Sequence, residues 1–78
     1  MSIELTNEEK IAIAQQHMKS VMFSLYNAEL SLKEAQAVSI PNQTNIDNVN
    51  AQIKDISSQI SILQNEIDSL QSAIPASN

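Results

Sequence analysis

The 78-residue chain contains no cysteine and no glycine. Without cysteine there is no disulfide framework and no thiolate metal site. Without glycine, turns that need positive φ are hard to build, and long uninterrupted segments are permitted. Proline occurs only at Pro41 and Pro75, and Phe23 and Tyr26 are the only aromatic residues. A β-sandwich or barrel of this size would normally use more aromatic and turn residues, so an all-α fold is expected.

Arginine is also missing. The four basic residues, Lys10, Lys19, Lys33 and Lys54, are scattered through a chain of net charge −5. A phosphate backbone draws clustered cations, so nucleic-acid binding is disfavoured. An anionic membrane surface is disfavoured for the same reason. No run approaches the roughly 20 apolar residues of a membrane span. Met1-Ser2-Ile3-Glu4-Leu5 does not place a basic region before an apolar one, so a secretory signal is not expected. The reading is of one small domain, made in a cytoplasm or in a particle assembled there.

What is present is periodicity. Ile46, Val49, Ile53, Ile56, Ile60, Leu63, Ile67, Leu70 and Ile74 recur at alternating steps of three and four. That is an a/d heptad seam, the pattern of a helix lying along another helix. The first half carries its own seam: Ile11, Ala14, Met18, Val21, Leu25, Ala28, Leu32 and Ala35. One edge of it is large and the other mostly small. Small residues admit a close neighbour, and the Ile and Leu residues of the second seam can interdigitate with them.

Thr6-Asn7-Glu8-Glu9 reads as a helix start, with Thr6 and Glu9 as the two halves of a capping box. Helix 1 is expected over about 7–37. Pro41 interrupts the ladder and pushes Ile40 into an extended conformation. The turn is expected over 38–44, with Thr44 as cap and Asp47 three residues on. Helix 2 follows over about 45–73, ended by Pro75, with a loose tail over 74–78. Equal helices with a short connection predict an antiparallel coiled-coil hairpin. An open chain, in which helix 2 pairs only with copies of itself, is the alternative.

Helix 1 carries a further apolar group off its seam: Ile13, Met22, Phe23, Tyr26 and Leu30. Either this is a wide stripe partly covered by helix 2, or the face meets another subunit or a partner protein. A two-helix hairpin alone buries one side of each helix and is marginally stable. The expectation is a homo-oligomeric helical bundle, a dimer of four helices or a trimer of six. Positions flanking the second seam are nearly uncharged, so opposite charges do not select its partner.

No residue set supports catalysis, cofactor binding or a metal. His17, the only histidine, lacks companions that could form a cage and reads as a partly exposed surface residue. Glu8 with Glu9, and Glu66 with Asp68, do not face each other at such spacing, so they read as solvated faces rather than acid–base pairs. Asn42-Gln43-Thr44 matches a glycosylation acceptor, but Thr44 is better explained as a cap.

The opening Met1-Ser2-Ile3-Glu4-Leu5-Thr6-Asn7-Glu8-Glu9-Lys10-Ile11 resembles the start of short uncharacterised proteins of marine tailed phages, of the cyanophage type. Tyr26-Asn27-Ala28-Glu29-Leu30-Ser31-Leu32, Pro41-Asn42 and the closing Asn65-Glu66-Ile67 follow the same order. The resemblance implies a small phage product with no known activity, and it transfers no site residues. Two functions fit. One is a non-enzymatic, self-associating hairpin with a structural or assembly role, as a phage virion component. The other is a phage-encoded adaptor or inhibitor that lays the helix 1 face on a host protein.

Overall fold

The computed structural model describes residues 4–74. They form two helices, α1 (Asn7–Gln36) and α2 (Gln43–Ser72), packed on each other with no strand among the described residues. Each helix has 30 residues, close to 45 Å of rise at 1.5 Å per residue. Residues from the start of α1 and the end of α2 line one common depression, so the two run antiparallel as a hairpin.

The start of α1 follows from its capping chemistry. Thr6 is extended (φ −71°, ψ 163°) and accepts from the Glu9 backbone N–H at 3.1 Å. Glu9 Oε1 accepts in return from the Thr6 backbone N–H at 2.8 Å. Two donors that the helix itself leaves unpaired are thereby satisfied. Glu8 and Glu9 add negative charge to the first turn, and Lys33 adds positive charge to the last, both favourable to the helix dipole. The helix ends at Gln36, with Ala37 as its C-cap.

The start of α2 differs from the sequence expectation. Asn42, not Thr44, is the N-cap: it is extended (φ −88°, ψ 107°), and its Oδ1 accepts from the Asn45 N–H at 3.1 Å. Thr44 lies inside the first turn. The physical reason is that Asn caps at least as well as Thr. Pro41 ends the bend directly before Asn42, so the helix begins at the first residue able to cap it. The connection is therefore shorter than 38–44, and α2 starts at Gln43 rather than 45. Gln43 Nε2 also donates to Asp47 Oδ1 at 2.8 Å, tying the first turn together. A matching pair, Gln64 to Asp68 at 2.9 Å, braces the last turns. Such i,i+4 pairs suit a helix with few charges.

Serines within the helices are kept from competing with the backbone by bonding back to it. Ser24, Ser31, Ser58 and Ser72 each donate to the carbonyl four residues earlier, a known resolution for mid-helix serine. No φ is positive among the described residues, in keeping with a chain that has no glycine. At the far end Ala73 caps α2, and Ile74 donates to the Gln71 carbonyl. The expected stop at Pro75 and the tail beyond Ile74 lie outside the described residues.

The burial pattern follows the heptads. Ala14 and Ala28 of α1 and Ile46, Val49 and Ile67 of α2 are buried. The remaining seam positions are half-buried: Ile11, Met18, Val21, Leu25, Leu32 and Ala35 in α1, and Ile53, Ile56, Ile60, Leu63, Leu70 and Ile74 in α2. Ala28 and Val49 sit at comparable heights above the bend, as do Ala14 and Ile67. Small side chains on α1 thus stand level with large ones on α2, which lets the axes approach.

The molecule is long and one layer thick, with extents of 60 × 30 × 14 Å and a radius of gyration of 18.0 Å. A compact chain of this length would have a radius near 12 Å. Two helices side by side leave nothing to cover the faces of the layer. No side chain among the described residues is more than 98 % buried.

Candidate interaction surface

Because the seams face each other, the apolar residues placed elsewhere among those described are left to solvent. On α1 they include Met22, Phe23, Tyr26 and Leu30, all exposed, with Phe23 at 67 % and Tyr26 at 62 % of their full area. Met22, Tyr26 and Leu30 follow one another at steps of four, and Phe23 lies within a turn of Met22 and Tyr26 and two turns before Leu30, so the four form one ridge. The ridge stands on the outer flank of α1, away from α2. Lys19, one turn before Phe23, holds its Nζ 6.0 Å from the ring centroid. That contact covers part of one aromatic face and contributes about 0.5 kcal/mol at such an exposed site.

Ile13 is exposed too, but it stands about 15 Å along the axis from Phe23 at 1.5 Å per residue, so it is not continuous with that ridge. Ile13 instead lines an open groove of about 260 Å³ with Leu5, Lys10, Ala14 and His17 from the α1 end and Leu63, Glu66 and Leu70 from α2. Its walls are mainly apolar, and it lies between the helices near the open end of the hairpin.

Ile62 on α2 is 67 % exposed. It had not stood out because it directly precedes the seam residue Leu63 and breaks no pattern; an isoleucine on an otherwise polar helix face was the available signal. Val38 and Ile40 in the bend are exposed as well, Ile40 most of all at 89 %.

The chemistry of the surface is sparse. His17 lies on the groove wall. No group of three or more His, Cys, Asp or Glu residues among those described is arranged to hold a metal. The Glu9 carboxyl is held below the usual value of 4.5, first by the hydrogen bond from the Thr6 backbone and second by its bond with the Thr6 side chain. No helix among the described residues is long and apolar enough to cross a membrane.

Fold and surface together define a class: a two-helix hairpin with an apolar ridge on the back of one helix and an apolar groove between the two. Comparison with protein-family models, curated protein sequences and solved structures finds no match to this chain.

Proposed function

We propose that the protein is a non-enzymatic, self-associating helical hairpin with a structural or assembly role, and that its setting is a phage particle. The observation that supports self-association is the ridge of Met22, Phe23, Tyr26 and Leu30, exposed on a layer too thin to bury any side chain completely. A domain that buries so little gains by burying the ridge against another surface, at roughly 25 cal/mol per Å² of apolar area removed from water. Two hairpins joined through the ridge give a four-helix bundle, and three give six helices. The phage setting comes from the resemblance carried by Met1–Ile11 and Tyr26–Leu32.

Light scattering coupled to size exclusion tests the association: the expected mass is a multiple of 8.6 kDa, and Phe23→Asp with Leu30→Asp returns it to one. A folded chain of single mass at every concentration overturns self-association. It would favour instead a host protein as the occupant of the ridge, with the chain acting as adaptor or inhibitor. Mass spectrometry of purified virions tests the setting, where stoichiometric copies are expected and absence would refute it.

A further inference from the structure

We infer that the bend over residues 37–42 is a hinge, and that the hairpin opens there to exchange α2 with a second copy, giving a rod of two antiparallel chains. The inference goes beyond the self-association proposed above, because it uses the seam and leaves the α1 ridge uninvolved. Three observations carry it.

First, the two seams are in phase with each other. Ile11, which opens the α1 seam, and Ile46, which opens the α2 seam, are 35 residues apart, five whole heptads. Steps of four and three from Ala35 lead through Ser39 and Asn42 to Ile46. A hairpin does not require this, since its bend can set α2 at any rotation. For a seven-residue repeat the match arises by chance about one time in seven. A helix running straight through the bend does require it, because only then do both halves present their apolar edge on one side.

Second, nothing packs on the bend. Residues 36–45 are all exposed, Val38 and Ile40 among them. The turn is held by local backbone chemistry. Pro41 cannot continue a helical ladder. Asn42 accepts from the Asn45 N–H, and the Ala37 N–H donates to the Glu34 carbonyl. Straightening the bend disturbs no buried side chain.

Third, the contacts between elements among the described residues all run from α1 to α2. A second copy opened at the same place offers the same α2 to the same α1, so exchange keeps the whole core. Two such chains aligned about their bends place Ser39 and Asn42 of each at the centre of one continuous seam. Polar residues inside a seam fix its register. The closed form wins while the short link holds α2 beside α1 at an effective concentration of about 1 mM. The hinge therefore opens where copies are crowded.

Energy transfer within one chain tests this. Labels on Lys10→Cys and Glu66→Cys are unique in a chain without cysteine. Both positions line one groove in the hairpin, and in the rod they stand about 84 Å apart. The labelled chain is traced in an excess of unlabelled chain, and both carry Phe23→Asp with Leu30→Asp to remove the ridge contact. Transfer is expected to be high at micromolar concentration. After warming and cooling at a few times the effective concentration, about 5 mM, it is expected to be lost as the mass reaches twice 8.6 kDa. Pro41→Ala is expected to lower the midpoint concentration at least about 100-fold. Two alanines inserted after Ser39 in the Pro41→Ala chain turn the α2 seam by about 200° and are expected to restore the hairpin, whereas seven inserted residues keep the phase and the rod. Transfer that stays high at about 5 mM, or in the Pro41→Ala chain at every concentration, overturns the inference. So does a rod that forms regardless of the two-residue insertion. The ridge is spoiled in every chain measured, so these outcomes are separate from success or failure of the ridge contact.

Discussion

Ile67 is the most buried residue described, at 5 % exposure, while Ile62, five residues earlier on the same helix, is 67 % exposed. Replacing each by alanine therefore isolates burial from everything else that an Ile→Ala change alters. The substitution removes three carbon groups, about 2.5 kcal/mol at ~0.8 kcal/mol each when fully buried. Alanine returns roughly 0.4 kcal/mol through its better helix propensity. The net cost at Ile67 is then about 2 kcal/mol. A larger cavity penalty is not expected, because a layer open on both faces can collapse into the gap. At Ile62 only about a third of the transfer term applies, and the propensity gain brings the net below about 0.5 kcal/mol. A chain of 78 residues has a total stability of about 4–12 kcal/mol, so Ile67→Ala removes a large share. Its thermal midpoint should drop by about 8–16 °C, and that of Ile62→Ala by no more than a few degrees. Circular dichroism at 222 nm, both variants at one protein concentration, reads the difference. Equal midpoints would refute the assignment of the seam as the core.

Two further outcomes concern the helix starts. Asn42→Ala should destabilise α2 by about 1 kcal/mol and Thr44→Ala by a few tenths at most; urea titrations that rank them the other way would return the cap to Thr44. The capping box makes stability depend on pH through Glu9, whose carboxyl titrates below its ordinary value because it accepts from the Thr6 N–H. The unfolded chain binds the proton first as pH falls, so this stabilisation is fully present above the ordinary Glu value and is lost as pH drops through the folded one. Glu9→Gln keeps a side chain able to close the box but cannot titrate. Its stability should fall less steeply than the unaltered chain's below about pH 4.5, and parallel curves would remove Glu9 from the account.

The two-helix architecture was legible because the period of a helix is written directly into the spacing of its apolar residues. Ile46 to Ile74 keep steps of three and four without interruption, and Thr6 with Glu9 announces the first helix by a chemistry that involves only four residues. The second start was harder to read. Asn42 and Thr44 both can cap, and Asp47 stands three residues after Thr44, so local grammar favoured the later one. The bend decided otherwise, because a short link after Pro41 lets α2 begin at its earliest capable residue. The surface was legible only in part. Met22, Phe23, Tyr26 and Leu30 were visible as apolar residues off the seam. Ile13 was visible in the same way, and its place about 15 Å along the axis from Phe23 sets it apart from the other four. The groove that Ile13 does line could not be read at all, since it exists only where the end of α2 comes back beside the start of α1.

That groove matters to how the chain can be stable. A single layer has no interior: its best-buried residues form one line, and each is a short step from water on both faces. Additional seam residues would lengthen the line without deepening it, because every heptad adds to both helices the same half-covered pair. Depth comes only from a second layer, and a chain with two helices has to obtain that layer from another molecule. If hairpins associate as proposed, folding and association share one driving force, and apparent stability should rise with protein concentration as mass action requires. The chain has no cysteine and the described residues hold no three-residue metal grouping, so under the proposed association shared burial would stand in for those staples. Under the same proposal, a substitution in the α1 ridge should weaken assembly and helix content together rather than one without the other.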